Sequence, residues 1–167
     1  MTAVAYEHTI VALVQDRAGV LNRISSMFRR RGYNIVSLAV GHSEKNGLSR
    51  MTFVVNCDDV TIDQVRKQLD KLIEVIEVTD MTGLASVTRE LALIKVATSL
   101  ETRSEIIQLV DIFRANIVDV TIDSVIIEVT GDENKVDSLL TLLDTFGIVE
   151  IMRTGRIAIP RGMALGG

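Results

Sequence analysis

Residues 11–40 read VALVQDRAGVLNRISSMFRRRGYNIVSLAV. An apolar run to Val14 breaks at Gln15-Asp16-Arg17-Ala18-Gly19, gives way to helical periodicity, and turns β-rich again from Tyr33. The pattern predicts a strand, a glycine-bearing turn, a helix and a second strand. Leu21, Ile24, Met27 and Phe28 follow the i, i+3, i+4, i+7 rule of a one-sided helix, with Asn22, Arg23, Ser25, Arg29 and Arg30 on the other faces. Gly32 is placed to end that helix in the left-handed cap conformation that glycine adopts without strain.

The mouth of this helix concentrates polar capacity. The first N–H groups of a helix have no internal partner, and the helix dipole makes that end electropositive, so a small anion is stabilised there. Gly19 lets the backbone approach a ligand, and Asp16 sets a carboxylate beside the same spot. An α-amino acid could lay its carboxylate on the amides of Gly19, Val20 and Leu21 and turn its ammonium toward Asp16. The plainer alternative makes Asp16 an N-cap and Gly19 a turn residue.

Outward from this stretch, the 167 residues suffice for one domain or two small ones, and 47% of them are apolar, enough for a core. Net charge is −4 and only 4% of residues are aromatic, which argues against a surface of basic patches and stacking rings for nucleic acid. Cys57 is the only cysteine, so no intrachain disulfide can form; it reads as a small buried hydrophobe on a strand. No apolar run reaches membrane-spanning length and no signal-peptide pattern opens the chain, so a cytoplasmic protein without a membrane partner is expected. His42 has no cysteine or second histidine near it in sequence, and no metal site is expected.

In chain order, residues 5–14 read as a strand, residues 34–40 as a second and residues 48–56 as a third, with the polar hairpin segment 41–47 between the last two. Thr61-Ile62-Asp63-Gln64 has capping-box spacing ahead of a helix bearing Val65, Leu69, Leu72 and Ile73. A fourth strand, about 75–81, completes βαββαβ, the ferredoxin-like plan. The plan then repeats: strand 90–98, a helix opened by the box Thr102-Arg103-Ser104-Glu105, strands 117–122 and 125–130, a helix capped by Asp132, and strand 148–152. Phe28-Arg29 before Asn34-Ile35-Val36 echoes Phe113-Arg114 before Asn116-Ile117-Val118, as in an internal duplication. The fold class is therefore α+β, with two ferredoxin-like domains, residues 1–82 and 83–167, split near Gly83-Leu84-Ala85-Ser86. The segment Ala97-Thr98-Ser99-Leu100-Glu101-Thr102 has no glycine, so the ligand apparatus is expected only in the first half. The tail from Arg153, with Arg156, Pro160, Arg161 and terminal glycines, reads as mobile or ordered by a partner.

Topology sharpens the site. The second strand of a βαββαβ unit runs parallel to the first, so it starts at the far end of a helix roughly 20 Å long. Asn34 cannot then share one small ligand with Asp16 of its own chain. The second strand lies on the sheet edge and reads Ile35-Val36-Ser37-Leu38-Ala39-Val40, with no lysine or proline to discourage pairing. Two such edges joined by a twofold axis would bring the helix mouth of one copy toward Asn34 of the other.

Asp16, Gly19-Val20-Leu21, Arg23, Phe28, Arg31-Gly32-Tyr33-Asn34-Ile35 and Ser37-Leu38 together resemble the small, regulatory subunit of acetohydroxyacid synthase, also called acetolactate synthase. The resemblance extends through Leu48-Ser49-Arg50-Met51-Thr52, Arg89-Glu90-Leu91, Phe113-Arg114 and Ile117-Val118-Asp119-Val120, and so covers nearly the whole chain. Many members of that family have asparagine at the position of Asp16. The resemblance implies an N-terminal ACT domain and a homodimer that binds valine at its interface. The effector contacts would come from Asp16, Gly19, Val20 and Leu21 on one side and Asn34 and Ile35 on the other. It also implies feedback control of a separate catalytic subunit in branched-chain amino-acid synthesis. That partner would carry the thiamine diphosphate, magnesium and flavin, leaving this chain non-catalytic and without a cofactor.

Two other classes compete. An RNA-binding module of the same topology needs exposed aromatic platforms on the inner strands, and only Phe53 is available in the first half. An enzyme in its own right needs a nucleophile, a base and an orienting group, and no recognisable arrangement of them occurs.

Overall fold

The computed structural model describes residues 5–163. They form two compact units, one running to Val87 and taking back the chain from Arg156, the other Thr88–Gly155. The first unit is β1 (Tyr6–Gln15), α1 (Val20–Arg30), β2 (Ile35–His42), β3 (Leu48–Cys57), α2 (Asp59–Asp70) and β4 (Val75–Asp80). Its antiparallel sheet has the order β2-β3-β1-β4, so β2 is an edge strand. The second unit repeats the plan with β5 (Ser86–Ala97), α3 (Arg103–Ile112), β6 (Asn116–Val120), β7 (Ser124–Gly131), α4 (Glu133–Leu143), a 3-10 turn (Asp144–Phe146) and β8 (Ile148–Arg153), in the order β6-β7-β5-β8. The fold is α+β and ferredoxin-like twice over.

Alternation along the strands builds each core. Ile10, Ala12 and Val14 of β1 and Met51, Phe53 and Val55 of β3 pack under Ile24, Met27 and Phe28 of α1 and Ile62, Val65 and Leu69 of α2. In the second unit Ala92, Ile94 and Val96 and Val125, Ile127 and Val129 meet Ile106, Val110, Val136, Leu139 and Leu143. Each fully buried aliphatic side chain stabilises the fold by about 1.5–3 kcal/mol.

The duplication reaches details of register. The β2/β3 pairing slips between Ile35 and Ser37 and β6/β7 between Ile117 and Asp119; β1/β4 slips after Leu13 and β5/β8 after Lys95. Val36 and Val118 are thus equivalent bulge residues, and both are exposed. The Phe-Arg echo is not part of this equivalence. Gly32 and Arg114 are the left-handed cap residues that correspond, with φ of 69° and 51°, and the N–H after each bonds back five residues, Tyr33 to Phe28 O and Ala115 to Val110 O. Phe113 therefore matches Arg31, not Phe28.

Four further expectations change. Leu21 is 46% exposed, and Val20 takes its place in the buried stripe because α1 begins one residue before it. The cap of α2 is Asp58, whose carboxylate accepts the Thr61 N–H at 2.7 Å, so the helix starts ahead of the Thr61 box and leaves Ile73 exposed. Thr102 does begin α3, but its hydroxyl accepts from Ser99 N–H and makes no cap bond. Asp132 caps α4 as expected, accepting Lys135 N–H at 2.9 Å.

The tail is built in as far as the described residues run. Arg153 pairs with Glu90 and Asp137, Arg156 bonds Glu7 and the Thr9 hydroxyl at 2.9 Å each, and β9 (Ile157–Pro160) pairs with β5. Ala158 is buried and Arg161 N–H bonds Ala85 O at 2.8 Å. Alternation in Ile157-Ala158-Ile159 supplies one small inward side chain, and Pro160 ends a strand where it costs no ladder bond. A division at residues 82/83 thus differs from the compact units, which return this strand to the first. The terminal glycines lie outside the described residues. No described helix is long and apolar enough to cross a membrane.

Candidate functional site

Where β1 ends, the chain is pinned from two sides. Gln15 N–H bonds Glu74 O at 2.8 Å and Asp16 N–H bonds Gly47 O at 2.9 Å. Gly19 then takes φ of 88°, which turns the backbone into α1 without a side-chain cap. Val20 N–H has a 3.4 Å contact to Arg17 O and Arg23 N–H closes onto Gly19 O at 2.9 Å. The N–H groups of Gly19, Leu21 and Asn22 have no acceptor among the described residues. These are the orphan donors of a helix start, with the positive end of the dipole behind them.

Asp16, Gly19, Val20 and Leu21 therefore sit together at one end of the sheet. Asp16 and Leu21 are exposed, and Val20 is buried beneath them. Asn34 and Ile35 sit at the other end. Ile35 pairs with Val55, which pairs with His8, whereas Asp16 follows Gln15, the partner of Leu48. Gln15 lies seven residue steps along β1 from His8, roughly 24 Å at about 3.4 Å per step. Both Asn34 and the edge-strand residues Val36 and Val40 face solvent.

Three side chains at the mouth escaped the sequence reading. His42 ends β2, and its Nδ1 lies 3.1 Å from the Asp16 carboxylate. The signal was topological: His42 pairs with Ser49, which pairs with Val14, so the end of β2 must lie near the end of β1. Arg23, one turn into α1, bonds Glu74 at 2.6 Å, and Glu74 is buried with its second oxygen unpartnered. This pair ties the helix start to the turn that also holds Gln15.

The remaining candidates resolve simply. Cys57 is free and buried, and burial pushes its thiol pKa up, which suits a packing role. Phe53 is fully buried and stacked on Phe28 at 5.3 Å between centroids, so it provides no base-stacking platform. Among the described residues no cluster of three or more His, Cys, Asp or Glu could hold a metal ion.

Comparison with known proteins agrees with this architecture. Residues 10–77 match the family model described as AHAS small subunit-like ACT domain, and residues 89–162 match that of the small subunit of acetolactate synthase. The chain is 54% identical over 156 residues to a probable acetolactate synthase small subunit of Archaeoglobus fulgidus, covering 93% of this chain and 98% of that protein. It is 49% identical over 155 residues to the acetolactate synthase small subunit of Mycolicibacterium smegmatis, covering 93% and 91% respectively. The crystal structure of the acetolactate synthase small subunit from Thermotoga maritima superposes with a TM-score of 0.88 at 45% identity, over 95% of this chain and 99% of that one. Family models matching residues 10–77 and 89–162, with relatives 54% and 49% identical over 93% of the chain, leave one conclusion: the chain belongs to the acetolactate synthase small-subunit family, with an ACT domain in its N-terminal half.

Proposed function

We propose that the chain is the regulatory partner of the thiamine-diphosphate-dependent catalytic subunit of acetolactate synthase, a cytoplasmic transferase of valine, leucine and isoleucine synthesis. It activates that subunit and damps it when valine binds where two copies meet. Thiamine diphosphate, magnesium and flavin belong to the catalytic partner, and the chain itself supplies no catalytic residue.

The observation that carries the reading is the open helix mouth beside a carboxylate. Unpaired N–H groups at Gly19 and Leu21 suit the valine carboxylate, and Asp16 suits its ammonium. His42 Nδ1 stands 3.1 Å from the Asp16 carboxylate, so an incoming ammonium would replace or share that contact. The other half of the receptor is Asn34 and Ile35 of a second copy. The edge position of β2 supports this, because antiparallel joining of two such edges would set the start of one β2 beside the end of the other. Valine bound across the joint would stabilise the dimer, and any difference in how two dimer arrangements grip the catalytic subunit would pass on as a coupling of about 1–3 kcal/mol.

Calorimetry of dialysed protein with millimolar valine should give saturable heat, and acetolactate formation by the mixed subunits should fall as valine is added. Absence of both heat and a melting shift would reject the reading, as would a monomer that binds valine equally well.

A further inference from the structure

The helices of the first unit border a cleft of about 440 Å³ lined by Met27, Arg30 and Arg31 on the α1 side and Gln68, Lys71 and Leu72 on the α2 side. Three of the six are cations and none is a carboxylate. Arg29 continues the run on the exposed surface. Other cations on the same two helices have acidic partners: Arg23 has Glu74, and Arg66 and Lys67 share Asp63. Arg30 instead donates to Ser26 O at 3.3 Å, Arg31 to the Gln68 side-chain oxygen at 2.9 Å, and Lys71 makes no ion pair among the described residues. A chain of net charge −4 has thus gathered unneutralised positive charge in one concave place.

Like charges held together repel, and a complementary anionic surface removes that repulsion. We propose that this cleft docks an acidic surface of the catalytic subunit, a statement that rests on the assembly described under the proposed function. A free small anion gains little from exposed cations in water. A protein surface bearing several carboxylates engages all three at once and covers the half-buried Leu72 side chain. Nucleic acid fits less well, because the cleft has no aromatic lining on which bases could stack.

The test follows association of the full chain with the purified catalytic subunit at several salt concentrations. Rates for the wild type should fall as salt rises, and the R30Q/R31Q/K71Q variant should associate at least ~10-fold more slowly at low salt, with a flatter salt dependence. Lys71→Glu alone, at an exposed side chain with no ion pair among the described residues, should slow association without lowering the melting temperature, and R30K/R31K should keep most of the wild-type rate. Valine heats should be unchanged in all of them. Equal rates and equal salt slopes for wild type and the triple variant would overturn the proposal. Saturable RNA binding that the triple variant loses would also overturn it, in favour of a nucleic-acid surface. A wild-type chain that fails to associate at all would overturn the assembly itself.

Discussion

Gly19 and Arg114 both hold positive φ, for different reasons. At Gly19 the φ of 88° turns the chain into α1, and a Cβ there would meet nothing within 4 Å. A substitution at this position therefore acts through backbone conformation and charge, not through crowding. Aspartate tolerates the left-handed region, so Gly19→Asp should fold yet place a negative charge against the valine carboxylate. Asn34→Ala should remove the polar contact from the opposite copy. Both variants should stay folded and lose valine inhibition of acetolactate formation, Asn34→Ala with its melting temperature kept and Gly19→Asp destabilised by about 1 kcal/mol through its left-handed backbone; inhibition retained in both would refute the site. Arg114, by contrast, caps α3 at a φ of 51°, where the equivalent position of α1 has Gly32. The left-handed conformation costs a non-glycine residue about 1–2 kcal/mol, partly offset by glycine's greater unfolded-state freedom. Arg114→Gly should stabilise the chain by about 0.5–1 kcal/mol in urea unfolding. Gly32 as a left-handed cap was legible because only its sequence neighbours are involved. The contacts of Asp16 with His42 and of Arg23 with Glu74 were not, since 26 and 51 positions separate the partners.

At the scale of elements, helix starts divide into one that local spacing named and two that it mislabelled. Asp132 lies directly before α4 and accepts the N–H three residues on, so Asp132→Ala should cost about 1 kcal/mol by chemical denaturation. Thr61-x-x-Gln64 has the letters of a capping box, yet the chain leaves β3 at Cys57, and Asp58 is the first side chain able to cap. Thr61 holds the Asp58 carboxyl below its ordinary value by donating to it from both hydroxyl and N–H. A carboxyl lowered in the folded state stabilises the fold above its unfolded value of about 3.9 and loses that contribution as pH falls through the folded value. Asp58→Asn keeps an acceptor that does not titrate. The melting difference between wild type and this variant should be constant above about pH 5 and should shift toward the variant in acid below about pH 4. A difference that stays flat down to pH 2 would show that the Asp58 proton is not linked to folding.

The whole molecule depends on what its sheet edges and faces are given to cover them. The outer face of the first sheet, with Val11, Leu13, Thr79 and Met81, lines a pocket together with Ala158, Ile159 and Pro160 of the tail, whereas the outer edge of β2 pairs with no strand among the described residues. Val36 and Val40 on that edge are 46% and 51% exposed. Replacing both with lysine should leave the monomer folded, shift light-scattering mass from dimer to monomer, and abolish saturable valine binding. A dimer of unchanged mass would move the joint elsewhere.

Both βαββαβ units, the edge position of β2, the one-sided helices and the helix mouth at Gly19 follow from residue periodicity, glycine placement and the fixed hand of the crossover. These are determined by near neighbours and by rules common to all chains, so the sequence alone was sufficient for them. Which side chain stands against Asp16, which acid receives Arg23, that Phe53 turns inward, and that the chain after Gly155 returns to the first unit depend on strand register and on packing between residues far apart in the chain. Only the tertiary structure decides these, because many long-range pairings satisfy the same local pattern and a single one fills the core.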